Sequence, residues 1–239
     1  MTLVSNKTLQ VVNDIQNKII NQELLPGTKL LPLRELATSY EASRSVINSA
    51  IQILTTKGYL TVNPRQSIIV NDLWYSGSLD IVKDIYFSQN EAIKTKTVNE
   101  VLSIRLMAEL QAIDFIFANN YSDLNDLENV LNKENEALSK QTVDICEIVK
   151  LDCQFHETLV KTANNSVLFL LYMSFKEIET DMVSLFYNHH VYAKDIIKSH
   201  GELLSNIKSK ELNKARILWT DLLNHGAKIM SSEKIKSKK

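Results

Sequence analysis

Residues 26–70 decide how this chain folds, and they read PGTKLLPLRELATSYEASRSVINSAIQILTTKGYLTVNPRQSIIV. The opening Pro26-Gly27 pair is a turn signal that should end the helix before it. Apolar residues then recur at helical spacing through residues 33–40 and again through residues 44–57, with three residues between the two runs. Two short helices joined by so tight a turn must cross steeply, which is the geometry of a helix-turn-helix.

A β-hairpin is predicted directly after these two helices. Gly58 should end the second helix in the way that a glycine beyond a helix C-terminus commonly does. Residues 59–62 and 68–70 are β-prone runs on either side of Asn63-Pro64-Arg65-Gln66. The order helix, turn, helix, hairpin predicts a winged helix-turn-helix.

This stretch resembles the DNA-binding signature of the GntR family of bacterial transcription regulators, over about the first 72 residues. The residues that carry the resemblance are Gly27, Leu30, Arg34-Glu35-Leu36-Ala37, Ser43-Arg44, Ala50 and Gly58. Two positions depart from the family pattern: Asn48 replaces a second arginine of the recognition helix, and Arg65-Gln66-Ser67 replace the glycine pair of the wing. The resemblance implies a DNA-binding domain, and the departures leave its operator sequence open.

Arg44 is the first candidate for DNA contact, because residues at the N-terminus of a recognition helix reach the base edges. An arginine there can pair bidentately with guanine in the major groove. Arg34 lies on the preceding helix, where it can reach a base or a phosphate. The further candidates are Ser43, Ser45 and Asn48 on the recognition helix and Arg65 and Gln66 at the wing tip. The alternative for each is a solvated surface residue.

The composition is ordinary for a globular protein, with 44% hydrophobic and 23% charged residues. The 239 residues can bury a core in one large domain or two small ones, and only 5 Gly and 3 Pro favour long helices. The net charge of −1 does not indicate a nucleic-acid binder, but residues 1–71 carry seven basic against four acidic residues, a local +3. Attraction to phosphate needs such a local patch rather than a basic chain.

The sequence predicts neither a membrane protein nor a secreted one. No apolar run approaches the ~20 residues that span a bilayer, and no secretory signal stands at the N-terminus. Cys146 and Cys153 are seven residues apart on one predicted helix. Their α-carbons would then lie ~10 Å apart, too far for a disulfide. We expect reduced thiols, a cytoplasmic location and no membrane partner.

The rest of the chain shows helical patterns. A first helix is predicted over residues 9–25, a short helical piece over 79–87, and further helices over 98–119, 122–139, 143–163, 166–187, 191–208 and 211–230. These elements predict a mostly α protein. Its parts are a winged helix-turn-helix domain (1–72), a linker and connecting helix (73–97), an all-α helical-bundle effector domain (98–230) and a basic disordered tail (231–239).

Asp152 and His156 are four residues apart, so they project from one helix face about one turn apart. This spacing lets a carboxylate and an imidazole bind one divalent metal ion. His200 and His225 follow on later predicted helices, and three or four such ligands converging in a bundle can build a metal site. A surface or capping pair is the alternative interpretation.

Residues 98–230 resemble the helical effector domain named after the fatty-acid regulator FadR, the FCD domain. The resemblance is carried by Arg105, Ala108, Glu109 and Ala112, by Asp152-Cys153-Gln154-Phe155-His156, by Asn164-Asn165, and by His200, Leu203-Leu204, Ile207 and Ala215. In metal-binding members the ligands are one Asp and three His, and the first three match Asp152, His156 and His200.

The fourth ligand position of that pattern falls on Leu222, and His225 lies three residues later. Two interpretations follow: a site of three protein ligands completed by water or effector, or a site that has lost its metal. A set of imidazoles and a carboxylate would accept Zn, Ni or Mn alike.

The resemblance implies a homodimer that presents two winged helices to a pseudo-palindromic DNA operator. A small-molecule effector of the organic-acid type would bind in the bundle and alter DNA binding, most often by relieving repression. Arg105 could hold its carboxylate bidentately, or form an ion pair with Glu109. The alternatives are a metal-free regulator that senses an acyl-CoA or other apolar ligand, and a metal-dependent hydrolase. No candidate base stands beside the metal ligands, so we expect no enzyme.

Overall fold

The computed structural model describes residues 5–63, 67–119, 123–187 and 193–236. The chain divides into two compact units, Met1–Thr97 and Val98–Lys239. Most of the described residues are helical, as the sequence predicted.

The first unit contains the predicted winged helix-turn-helix. Its opening elements are α1 (Asn6–Ile20), α2 (Leu33–Ser39), α3 (Arg44–Thr56), β1 (Leu60–Asn63) and β2 (Ser67–Val70). The strands pair antiparallel, with Leu60 opposite Val70. Helix α1 begins at Asn6 rather than residue 9, because the Ser5 hydroxyl caps it by accepting a hydrogen bond from the Thr8 amide at 3.2 Å. It ends at Ile20 rather than residue 25, with Asn21 as its C-cap residue, so the Pro26-Gly27 turn lies beyond its end.

Helix α3 is held by capping at its start and by burial along one side. The Ser43 hydroxyl accepts a hydrogen bond from the Val46 amide at 3.3 Å, and Ser43 is the N-cap residue. Ile47, Ala50 and Leu54 are fully buried against the other elements of the unit. The opposite side of the helix is therefore left facing outward.

Gly58 follows α3 with a positive φ of 88°, and a Cβ there would lie 2.1 Å from the backbone oxygen of Ser76. Gly27 also has a positive φ, 83°, but a Cβ there would meet nothing within 4 Å. Positive φ alone costs a residue with a Cβ about 1–2 kcal/mol. We expect Gly27→Ala to lower the free energy of unfolding by about that amount, and Gly58→Ala to lower it further. Urea unfolding of both variants measures the difference, and equal losses would contradict this account.

The segment predicted as a linker and connecting helix (73–97) contains α4 (Leu73–Ser76), α5 (Asp80–Tyr86) and the start of α6 (Glu91–Ala118). Ile81 and Ile85 of α5 are buried in the same apolar core as the helix-turn-helix. Their spacing of four residues puts both on one helix face, so α5 is part of the first unit's core rather than a free connection.

Seven helices form the rest of the chain, as far as the structure describes it. They are α6 (Glu91–Ala118), α7 (Asn125–Ser139), α8 (Ile145–Thr162), α9 (Ser166–Met173), α10 (Lys176–Tyr187), α11 (Ala193–Lys208) and α12 (Leu212–Lys236). The core of the second unit is apolar and contains the fully buried Ile113, Leu127, Phe155, Leu203 and Trp219. Within the described ranges, no helix is long and apolar enough to cross a membrane.

Two features of the second unit differ from the prediction. Residues 166–187 form two helices rather than one, because the helix is interrupted by a turn at Ser174. The Ser174 hydroxyl donates a hydrogen bond to the Leu171 carbonyl at 2.6 Å. Helix α12 continues to Lys236, so residues 231–236, predicted as part of a disordered tail, are helical. Residues 237–239 of that tail lie outside the described residues.

Candidate functional site

The N-terminal part of α3 presents an exposed polar surface. Ser43, Arg44, Ser45 and Asn48 are exposed, whereas Ile47 between them is buried. Arg34 on α2 is also exposed. This arrangement leaves two guanidinium groups and several short polar side chains available to DNA. Arg65 and Gln66, the candidates at the wing tip, lie outside the described residues.

The second unit brings together the three residues predicted as metal ligands. Asp152 and His156 lie one turn apart on α8, His200 lies on α11, and all three side chains are buried. The Nε2 atom of His156 is 3.8 Å from Asp152 Oδ2, and the Nε2 atom of His200 is 4.0 Å from Asp152 Oδ1. One donor atom from each residue lies within 4.8 Å of the others.

His200 is held so that its Nε2 atom faces Asp152. Its Nδ1 atom is 3.0 Å from each carboxyl oxygen of Glu134, and its ring stacks on that of Phe155 with centroids 4.0 Å apart. Burial lowers the pKa of His200 to about 3 and raises the pKa of Glu134 to about 9. The Nε2 atom is buried and has no hydrogen-bond partner within the part of the chain that the structure describes.

His156 is held in the same way by a second glutamate. Its Nδ1 atom is 2.6 Å from Glu109 Oε2, which also accepts a hydrogen bond from Trp219 Nε1–H at 2.7 Å. Burial opposes the charged form of Glu109, but the neighbouring His156 and Arg105 lower its pKa to about 2. Burial alone would lower the pKa of His156, and the Glu109 carboxylate raises it instead.

These three residues fit a divalent metal ion. Two donor atoms that bind one ion with bonds of about 2.1 Å are at most about 4.2 Å apart, so the Asp152 contacts are within reach. Each histidine has its second ring nitrogen on a glutamate, which is the usual support for a metal-binding imidazole. The Tyr187 hydroxyl donates a hydrogen bond to Asp152 Oδ1 at 2.8 Å and orients that carboxylate. The unpartnered Nε2 of His200 is the atom that such an ion would satisfy.

The two positions predicted for a fourth ligand differ in their surroundings. Leu222 lines a cavity of about 40 Å³ together with Asp152 and His156. His225 is exposed on α12 and does not join the group of three. The residue at the expected fourth-ligand position, Leu222, therefore offers an apolar side chain instead of a metal ligand.

Arg105 forms the ion pair that was one of its two predicted roles. Its Nε–H donates a hydrogen bond to Glu109 Oε1 at 2.7 Å, and one terminal nitrogen lies 3.2 Å from Glu179 Oε1. Glu179 in turn accepts a short hydrogen bond from the Tyr172 hydroxyl. Arg105 also lines the cavity beside Asp152 and His156, so its other predicted role, binding an effector carboxylate, stays open.

Glu134 is a supporting residue of the site that was not predicted from the sequence. Its signal was present, because Glu134 occupies a buried position of α7 at helical spacing with Leu127, Val130 and Ala137. A glutamate on the apolar stripe of a helix is rarely buried without a partner. That partner, His200, is 66 residues away in the sequence, so no local spacing pointed to it.

Two protein-family models match this chain, one within each structural unit. The model of the bacterial regulatory proteins of the gntR family matches residues 7–70, and the FCD domain model matches residues 100–225.

Individual proteins similar to this chain are also named as transcription regulators. The uncharacterized HTH-type transcriptional regulator YdhC of Bacillus subtilis (strain 168) is 25% identical over 209 residues, covering 87% of this chain and 84% of that protein. The gluconate operon transcriptional repressor of Bacillus licheniformis is 21% identical over 209 residues, covering 85% and 76%. A solved structure described as "Lar controls the expression of the Listeria monocytogenes agr system and mediates virulence" shares the fold. Its TM-score is 0.59 at 17% identity, covering 96% of this chain and 97% of that one.

The two family matches together cover most of the chain, each on one structural unit. The protein therefore belongs to the GntR family, as a DNA-binding transcription regulator with an FCD effector domain rather than an enzyme.

Proposed function

We propose that this regulator is a repressor whose operator binding is modulated by a small organic acid, bound at a divalent metal ion in the second unit. The observation that carries the proposal is the convergence of Asp152, His156 and His200, with the Nε2 atom of His200 buried and without a hydrogen-bond partner among the described residues. An unsatisfied buried polar atom costs stability. A metal ion bound by these residues would remove that cost and offer a coordination position to an effector carboxylate.

The metal-free alternative, a pocket for an acyl-CoA or another apolar ligand, accounts less well for these contacts. It would leave Nε2 of His200 without a partner. It would also leave unexplained why Glu109 and Glu134 each hold a histidine by Nδ1 so that Nε2 faces Asp152. The imidazole and carboxylate donors suit Zn, Ni or Mn.

Repression fits one relative in particular, which is named as the repressor of the gluconate operon. We also propose that the protein acts as a homodimer, because a two-fold protein matches a pseudo-palindromic operator. The exposed N-terminal surface of α3 would then read each half-site, with Arg44 at the base edges and Arg34 at a base or phosphate.

Arg44→Ala is expected to weaken binding to the specific operator by about 1–3 kcal/mol, because a bidentate arginine–guanine pair contributes about that much discrimination. Stability should not change, since Arg44 is exposed. Lys29→Ala is the matched control, because Lys29 is an exposed basic residue outside α2 and α3. Fluorescence anisotropy with operator and with scrambled DNA measures both variants. A loss that is equal on the two DNAs would contradict base recognition by Arg44.

A gel shift with the DNA upstream of the protein's own gene tests the proposal as a whole. We expect a specific complex at moderate salt, and we expect its affinity to change when metal-loaded protein receives an organic acid. No specific complex would count against operator binding. An acid response that persists after chelation, with no change in melting temperature on chelation, would favour the metal-free alternative.

A further inference from the structure

We infer that the cavity beside Asp152 and His156 takes a short monocarboxylate with an apolar body, in preference to a sugar acid or a polycarboxylate. The inference rests on the proposed function, because the same cavity is the effector site of that proposal. It names the chemical class of the effector, which neither the family nor the relatives assign to this chain.

The polar groups of the cavity can engage one carboxylate. Among the ten residues that line it, the charged or titratable ones are Arg105, Asp152 and His156. Arg105 is already paired with Glu109 and Glu179, so it offers at most part of its guanidinium to a ligand. A single ligand carboxylate placed at this end would meet the guanidinium and the proposed metal position together.

The rest of the wall is apolar. It consists of Leu102, Val183, Phe186, Ile196, Leu222 and Leu223, with Gly226 beside them. Within this described lining there is no hydroxyl or amide side chain. Each hydroxyl of a sugar acid, or a second carboxylate, would lose its water there without a side-chain replacement. Unpaired polar groups of this kind weaken binding about tenfold or more.

The size of the cavity limits the ligand as well. Its volume of about 40 Å³ compares with the ~10–15 Å³ that one water needs on the same measure. The space therefore holds about three waters, which favours a short ligand body. The hydroxyl groups of a longer polyhydroxylated acid would find no hydroxyl or amide side chain in this lining.

Leu222 determines this specificity. It supplies an apolar wall at the position where the family pattern would place a further histidine, so it faces the ligand instead of the metal. A serine at this position would offer one hydroxyl partner to a ligand hydroxyl group. Ile217 on the same helix is 64% exposed and does not line the cavity, which makes Ile217→Ser the matched control.

The test compares two acids of nearly the same shape, 3-methylbutanoate and 3-hydroxybutanoate, which differ by a methyl group against a hydroxyl group. Isothermal titration of the full chain with Zn²⁺ should show 3-methylbutanoate binding about tenfold or more tightly. Gluconate and citrate should bind more weakly than either. Leu222→Ser should narrow the preference between the two short acids, and Ile217→Ser should preserve it.

Tighter binding of 3-hydroxybutanoate, gluconate or citrate would overturn the inference, and so would the absence of binding by any of the four acids. Metal content and operator binding, measured on the same preparation, keep this result separate from the proposed function. A preparation that holds metal and binds its operator, but ranks the acids differently, contradicts the inference alone. A preparation that binds no metal contradicts the metal-dependent proposal. The relative affinities of the four acids for that preparation still decide the inference.

Discussion

Asp152→Asn is expected to abolish metal binding in the second unit, with an affinity loss of more than ~100-fold. Asp152 is the carboxylate that faces the Nε2 atoms of both His156 and His200, at 3.8 and 4.0 Å. Asparagine keeps the shape of the side chain but removes the negative charge. Removing a residue that only hydrogen-bonds to a metal ligand typically lowers the metal affinity 10–100-fold. Removing a ligand itself should therefore lower it further.

The measurement is elemental analysis of protein purified without a histidine tag or chelator, followed by thermal melting with and without EDTA. The unmodified chain should hold about one metal ion, because its three donor groups form one site. Metal at ~100 times its dissociation constant stabilises the folded state by about 2.7 kcal/mol, so chelation should lower the melting temperature by several degrees. Asp152→Asn should hold no metal and show no such shift.

His225→Ala is the matched control, because His225 is a histidine of the same domain that is exposed and outside the group of three. It should retain the metal and the EDTA-sensitive melting. A loss of metal in His225→Ala would instead make His225 the fourth ligand. Metal retained in Asp152→Asn would show that the ion binds elsewhere.

Local periodicity predicted the first unit because its elements are short and bounded by clear signals. Gly58 follows the end of α3 as predicted, and α2 and α3 lie within one residue of their predicted bounds. The Pro26-Gly27 turn was a poorer signal, because α1 already ends at Ile20. The break between α9 and α10 was missed because residues 166–187 are apolar throughout their first part. Such a run carries no periodic signal of where a helix stops.

The candidate site could be predicted only in part, for a related reason. The spacing of Asp152 and His156 is visible on one helix, and the FCD resemblance added His200. Glu134 supports His200 across 66 residues of sequence, and Tyr187 supports Asp152 across 35. Contacts over such distances follow from how the helices pack, which spacing along the chain does not reveal. The same holds for Arg105, whose pairing with Glu109 could be predicted from their spacing on one helix, whereas its contact with Glu179 could not.

Glu109→Ala is expected to cost the second unit about 3–5 kcal/mol, because removing one partner of a buried ion pair leaves an uncompensated charge. Glu109 is fully buried on α6 and has four polar partners: Arg105 Nε–H, His156 Nδ1, Trp219 Nε1–H and the Tyr172 hydroxyl at 3.4 Å. All four would lose their contact with Glu109 in the variant. Arg105 would keep only its contact with Glu179.

Asp114→Ala tests whether burial, rather than ion pairing as such, produces that cost. Asp114 lies on the same helix and pairs with Arg216, but its side chain is 34% exposed and that of Arg216 is 40% exposed. Partly exposed pairs contribute about 0–1 kcal/mol, because water solvates the charge that is left behind. Urea unfolding in the presence of EDTA compares the two variants without any contribution from bound metal. A similar loss of unfolding free energy in both variants would mean that ion pairing alone stabilises the Glu109 network. A large loss in Glu109→Ala alone would mean that the stability comes from the buried hydrogen bonds of Glu109.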